Sequence, residues 1–184
     1  MYTFEDALVV GCCLITLLRQ AERVRIACLA QLVNTIAPIM TRNGGPAWRQ
    51  TIFYPFLHTS RYGRGEVLET GIRSPRYANQ TFGDVPYLDG VATWNREAGE
   101  LTVFAVNRSP AEELALEGRL AGFGSCRPLE HLALADADPK AANTLENPTR
   151  VMPRRIDGLR LERDCLQALL PPLSWNVLRV RAQP

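Results

Sequence analysis

The spacing of apolar side chains changes for the rest of the chain near Gly65, and that change limits the fold more than any other feature. Before it, two segments carry apolar residues at three-to-four spacing, the period of a helix, with one short apolar run between them. After it, short runs alternate apolar with polar, the period of a strand, with turn residues between them. Thr3-Phe-Glu-Asp-Ala opens a helix, with Thr3 as N-cap and with Glu5 and Asp6 where the helix dipole favours acids. The spacing predicts a helix to about Glu22. Leu8, Val9, Cys12, Ile15, Leu17 and Leu18 spread round enough of its cylinder to be covered on more than one side. Val24 to Leu32 is a short apolar run and reads as a buried strand. Asn34 to Pro46, with Pro38, Asn43, Gly44 and Gly45 between, reads as a long loop. Ala47 to Tyr62 returns to a helical pattern in which Pro55 marks a kink or a break.

From Gly65 onward the texture is that of an antiparallel sheet. Val85 to Asn95 and Leu101 to Asn107 form a hairpin across Arg96–Glu100, where Gly99 can supply a positive φ. Leu114 to Leu120, Arg127 to Leu134, Leu159 to Leu166 and Trp175 to Val180 are further strands, and Asp136 to Pro153 reads as a long surface excursion. Short, regularly spaced strands with this punctuation predict a mainly β fold, an antiparallel β-sandwich. The 184 residues allow one domain or one domain with a piece of another. A whole eight-fold β/α barrel, at about 250 residues, does not fit.

Charge and cysteine usage exclude several classes. Twenty-one basic residues against 19 acidic give a net charge of +2, too near neutral for a nucleic-acid or anionic-membrane surface. Met1 to Asp6 carries two acids and no basic residue, so no signal peptide is expected. The first apolar stretch is interrupted by polar residues rather than membrane-spanning. Cys12, Cys13, Cys28, Cys126 and Cys165 include no CxxC pair and predict no disulfide framework, which suits a reducing cytoplasm. His58 and His131 lie far apart without ligands at metal spacing, so neither a metal nor a cofactor is expected.

From Arg23 through Gly65 there is no Asp or Glu, while arginine occurs at 23, 25, 42, 49, 61 and 64. A glycosidase that works with two carboxylates needs one to protonate the leaving group and one to attack or activate water. This stretch supplies neither. Gln31 and Asn34 stand at the end of the expected strand, where a barrel presents its binding residues. A neutral amide there can donate to one sugar hydroxyl and accept from another, or can instead satisfy loop backbone. Trp48 can stack on a sugar ring or anchor a helix start. Gly44-Gly45 is too short for a phosphate cradle. His58 beside Thr59 and Ser60 makes no triad and reads as a core or helix-end histidine. Glu130 and His131, adjacent on a strand, face opposite sides of the sheet. Trp175 reads as a sandwich-core or domain-contact residue.

Several segments together resemble the intracellular α-L-arabinofuranosidases of glycoside hydrolase family 51. They are Glu5-Asp-Ala-Leu-Val-Val-Gly11, Ile26-Ala-Cys-Leu-Ala-Gln-Leu-Val-Asn34 with Ile36-Ala-Pro38, Gly45-Pro-Ala-Trp-Arg-Gln-Thr-Ile-Phe-Tyr-Pro-Phe56 and Ser60-Arg-Tyr-Gly63. Asp84-Val-Pro-Tyr-Leu88, Phe104-Ala-Val-Asn-Arg108 and Leu173-Ser-Trp-Asn-Val177 continue them in order. The resemblance implies that residues 1–63 are a helix-strand-helix remnant of a TIM (β/α)8 barrel, and that residues 64–184 are a sandwich of jelly-roll type. It implies a retaining enzyme whose acid/base and nucleophile glutamates lie upstream of the segment seen here, so that no catalytic residue falls in this chain. It makes Gln31 a ligand of the arabinofuranosyl unit, with Asn34 near the same rim, and implies a homo-oligomer.

Two functions follow as expectations. In the first, the chain is the C-terminal part of an exo-acting α-L-arabinofuranosidase that releases terminal arabinofuranosyl residues from arabinan or arabinoxylan oligosaccharides, and is inactive alone. In the second, it is a non-catalytic sandwich module for carbohydrate binding or subunit assembly. Trp94, Tyr87 and Trp175 lie in apolar strand contexts that favour burial over an exposed sugar platform.

Overall fold

The computed structural model describes residues 1–183. Helix α1 spans Phe4–Arg19 and begins where its sequence predicts. The Thr3 backbone N–H donates to Asp6 Oδ2 at 2.7 Å, and the Asp6 N–H donates to Thr3 Oγ1 at 3.4 Å, a reciprocal capping box. The helix ends three residues before the expected Glu22, in a turn in which the Val24 N–H donates to Gln20 O at 2.8 Å. Phe4, Ala7, Leu8, Gly11, Leu14 and Ile15 form one buried stripe. Val9, 57% exposed, marks the face of α1 that stays open, while the helix packs on both the large sheet and the second helix.

The expected strand at Val24 to Leu32 is absent. The segment is irregular and mostly exposed, with Ile26 at 82% and Leu32 at 74%. A buried parallel strand needs ladder partners on both edges, and no described strand pairs with this run. The expected loop that follows contains half a hairpin: β1, Ile39–Thr41, pairs antiparallel with β2, Ala47–Arg49. Trp48 therefore lies on a strand opposite Met40, half-buried, and not at a helix start. Helix α2 is shorter than expected, Phe53–Tyr62. Pro55 is its third residue, where no intrahelical partner awaits the N–H, so the helix is neither kinked nor broken.

Beyond α2 the chain is β throughout. Short strands β3 (Glu66–Leu68), β4 (Arg76–Asn79) and β5 (Gly83–Pro86) precede the long hairpin of β6 (Leu88–Asn95) and β7 (Glu100–Asn107). Its turn holds Gly99 at φ 61°, as expected. Then come β8 (Leu114–Arg119), β9 (Ser125–Ala135), β10 (Arg154–Arg155), β11 (Arg160–Glu162), β12 (Cys165–Leu170) and β13 (Ser174–Gln183). The single strand expected at Leu159 to Leu166 is instead the hairpin β11–β12, turned at Arg163 with φ 56°. The expected strand at Val85 is split, because β5 pairs with β4 and only β6 pairs with β7.

A six-stranded antiparallel sheet in the order β10-β9-β13-β7-β6-β3 faces a three-stranded one in the order β11-β12-β8. Leu101, Ala105, Leu178 and Val180 of the larger sheet meet Leu116, Leu166, Ala168 and Leu170 of the smaller. This is the sandwich that the sequence predicts. The other face of the large sheet carries Val91, Phe104, Val106, Leu134, Trp175 and Val177, which pack on Phe4, Ala7, Leu8 and Ile15 of α1.

The stretch from Asp136 to Pro153 is no mere surface excursion. Ala141, Asn143 and Val151 are buried in the helix-side core. Asn143 makes this tolerable by donating to Val151 O at 2.9 Å and accepting from the Val151 N–H at 2.7 Å, which satisfies both backbone groups of the buried Val151.

Candidate functional site

Gln31 and Asn34 lie on the irregular, exposed side of the first third of the chain, between α1 and the β1–β2 hairpin. Both take left-handed backbone angles, φ 58° and 62°, and Thr35 follows at 54°. The Gln31 side chain is exposed. The Asn34 side chain is engaged: its Nδ2 donates to Thr41 Oγ1 at 2.8 Å, and its Oδ1 accepts from the Thr41 N–H at 2.7 Å. The two amides thus stand near one another in different states, one free to meet a ligand and one spent on the hairpin. Around them Ile26, Leu32, Val33 and Ile36 are exposed apolar residues, and Arg23, Arg25 and Arg42 are exposed cations.

Carboxylates gather elsewhere and are already neutralised. On the helix-facing side of the large sheet, Arg179 donates to Glu100 at 2.5 Å and also to Glu130, while Arg181 donates to Glu100. The Arg179 guanidinium also lies over the Tyr62 ring, 4.2 Å from its centre. Burial pushes the Glu100 carboxyl up, but hydrogen bonds from Arg179 and Arg181 outweigh it and hold the group below its ordinary value. Two carboxylates bridged by one arginine are poorly placed to divide the roles of acid and nucleophile, since the Glu100 carboxyl, held below its ordinary value, is not free to act as the acid. Asp89 is likewise clamped, by Arg19 at 2.7 Å and Arg108 at 2.5 Å, and ties the end of α1 to the sheet.

Both histidines are buried. Burial lowers the His58 pKa to about 4, with Arg61 adding to the effect and Glu130 opposing it. Its Nδ1 accepts from Trp175 Nε1 at 3.1 Å, a core contact between α2 and β13. Burial lowers the His131 pKa as well, against a hydrogen bond with Asn176. Glu130 and His131 face opposite sides of β9, as the alternation predicts: Glu130 meets Arg179, and His131 meets Asn176. Trp175 is fully buried and joins the helices to the sheet.

Among the described residues no three His, Cys, Asp or Glu side chains gather at metal-binding distance, and all five cysteines are free. The residue that sequence reading missed is Thr41. Nothing in its neighbourhood, Met40-Thr-Arg42, signals a role, because its partner Asn34 is brought to it by the fold-back of residues 34–39, where the Asn34 N–H donates to Ile39 O.

Three comparisons bear on this arrangement. The family model described as "Alpha-L-arabinofuranosidase C-terminal domain" matches residues 1–174. The chain is 51% identical over 180 residues to an intracellular exo-α-(1→5)-L-arabinofuranosidase of Halalkalibacterium halodurans, covering 98% of this chain and 36% of that protein. It is 49% identical over 183 residues to the intracellular exo-α-(1→5)-L-arabinofuranosidase 1 of Bacillus subtilis, again with 36% of that protein covered. A solved family 51 α-L-arabinofuranosidase from Bifidobacterium longum superposes with a TM-score of 0.90 at 40% identity, over 97% of this chain and 35% of that one. The family 51 enzyme of Thermotoga petrophila, at 23% identity and a TM-score of 0.83, shares the fold. The chain spans about a third of the length of the relatives it matches, 36% of the first.

Proposed function

The chain belongs to the α-L-arabinofuranosidase C-terminal domain family, and from that premise we propose that it serves a retaining, exo-acting α-L-arabinofuranosidase as its C-terminal part. The substrate is an arabinan or arabinoxylan oligosaccharide, from which the enzyme releases terminal arabinofuranosyl residues. The setting is the cytoplasm, in keeping with the word intracellular in the relatives' names, and the assembly is a homo-oligomer. Residues 1–63 complete the end of a β/α barrel, and residues 64–184 form a jelly-roll sandwich beside it.

One observation carries this reading. An apolar run bearing Ile26 and Leu32, each more than 70% exposed, lies ladderless between two helices that are themselves well packed on the sheet. Apolar side chains with the composition of a buried strand, held open to solvent next to a finished core, have the character of a surface shaped for further strands. Gln31 stands on that run. Its carboxamide donates to one hydroxyl of the arabinofuranosyl ring and accepts from another, the neutral recognition that a sugar requires. The acid and the nucleophile come from outside residues 1–184, in keeping with an acid-free stretch from Arg23 to Gly65 and with Glu100 and Glu130 locked to arginine.

The chain alone should leave an aryl α-L-arabinofuranoside at its uncatalysed rate of hydrolysis; turnover above that rate would show that its own carboxylates work. Joined to the catalytic portion that its relatives carry, it should restore turnover. There Gln31→Ala should cost about 1–3 kcal/mol of transition-state stabilisation, since a substrate hydroxyl loses its partner. An unchanged kcat/KM would remove Gln31 from the site.

A further inference from the structure

We infer that Thr41 is a positioning residue for Gln31, acting through a clasp on Asn34; the inference rests on Gln31 being the sugar ligand. Gln31, Asn34 and Thr35 all sit in the left-handed region, at φ 58°, 62° and 54°. Asparagine enters that region readily. Glutamine does so less often, and a β-branched threonine there is a genuine outlier. Backbone of this kind persists only where its surroundings hold it, and it gathers at ligand clamps.

The holding contacts converge on Asn34. Its N–H donates to Ile39 O at 2.8 Å, its O accepts from the Ala37 N–H at 2.8 Å, and its side chain meets Thr41 through both the N–H, at 2.7 Å, and the hydroxyl, at 2.8 Å. Thr41 is in turn fixed by the hairpin, opposite Ala47, whose turn is closed by the Arg42 N–H donating to Pro46 O at 3.2 Å. Only two residues separate Gln31 from Asn34. The direction of the exposed Gln31 carboxamide is therefore set by backbone that Thr41 anchors, the Thr41 hydroxyl being spent on Asn34.

The test uses the full chain joined to the catalytic portion of the Halalkalibacterium halodurans relative, as wild type, Gln31→Ala, Thr41→Val, Thr41→Ser and the double variant Gln31→Ala/Thr41→Val. The readouts are kcat and KM for an aryl α-L-arabinofuranoside, and Tm. Thr41→Val should lower kcat/KM about 10-fold with Tm within about 2 °C of wild type, Thr41→Ser should return it to within about twofold, and the double variant should be no worse than Gln31→Ala alone. If Thr41→Val fails to fold, Asn34→Gly releases the whole clasp, both the hydroxyl bond that Thr41→Val breaks and the bond from the Thr41 N–H, while keeping the left-handed angle accessible; a loss of kcat/KM at least as large, and absent on top of Gln31→Ala, is expected of it. Losses that add in the double variant, or a Thr41→Val enzyme with wild-type kcat/KM, overturn the inference and leave the functional reading standing. Wild-type kinetics in Gln31→Ala remove Gln31 from the site and overturn this inference with it, while no activity in the wild-type assembly overturns the functional reading as a whole.

Discussion

The His58 imidazole accepts from the Trp175 indole N–H, so it must be neutral at Nδ1 for the contact to exist. Its pKa is lowered from 6.5 to about 4 by burial. As pH falls below 6.5 the unfolded chain takes up a proton that the folded one refuses until about 4, so stability is full above that window and is lost as pH falls through it. The shift corresponds to about 3 kcal/mol at most. His131, lowered in the same direction, adds to the loss, and Glu100 extends it below 4.5. Thermal unfolding at pH 7.5 and pH 4.5 should show this, and His58→Gln, which keeps an acceptor for the indole without a titrating ring, should remove the larger share of the difference. An undiminished difference in that variant would count against His58. At this scale the sequence was partly legible. His58, followed by Thr59 and Ser60 on a helix, reads as a core or helix-end residue and is a core one, and the strand period separates Glu130 from His131. The bonding of Asn34 to Thr41 was not legible, because six residues lie between them and the segment must fold back on itself, through the Asn34 N–H donating to Ile39 O, before the two side chains meet.

Among the elements, α1 was the most legible, because its cap, its first-turn acids and its apolar stripe agree with one another. What propensity does not show is how closely it sits on the sheet. A Cβ at Gly11 would come within 2.7 Å of Trp175 Cε3, a fully buried ring with no room to yield. Gly11→Ala should therefore destabilise the protein by about 1–3 kcal/mol, despite the gain in helix propensity, as read by chemical denaturation. A stabilised variant would mean that α1 rests further from the sheet. Gly65 marks the opposite end of this region. Its φ of 94° and a would-be Cβ 2.2 Å from Trp94 O make glycine a requirement where the helical third joins the β region. The failed element is equally instructive. Val24 to Leu32 has a strand's composition, but a strand is a property of a ladder, and no described neighbour supplies one. The opposite error befell Asp136 to Pro153, whose loop-like composition hid the buried Asn143 that lets it enter the core.

For the whole molecule, Ile26, Leu32, Val33 and Ile36 make the first third the densest stretch of exposed apolar side chains along the chain. Ile26 and Leu32 touch little of the core, so Ile26→Lys with Leu32→Lys should lower self-association of the chain, measured by light scattering against concentration, and shift Tm by less than about 2 °C. Unchanged association would place the adhesive surface elsewhere.

By itself the sequence determined the mainly β class, the α1 cap, the long β6–β7 hairpin and the family, since each is written in local period, turn residues or ordered motifs. The tertiary structure alone decided which face of each strand meets which layer, that the large sheet is covered by α1 on one side and by β8, β11 and β12 on the other, and that Asn34 is bonded while Gln31 is not. Those outcomes depend on partners far apart along the chain, and the energy of a ladder, a clasp or a buried ion pair exists only once both partners have arrived.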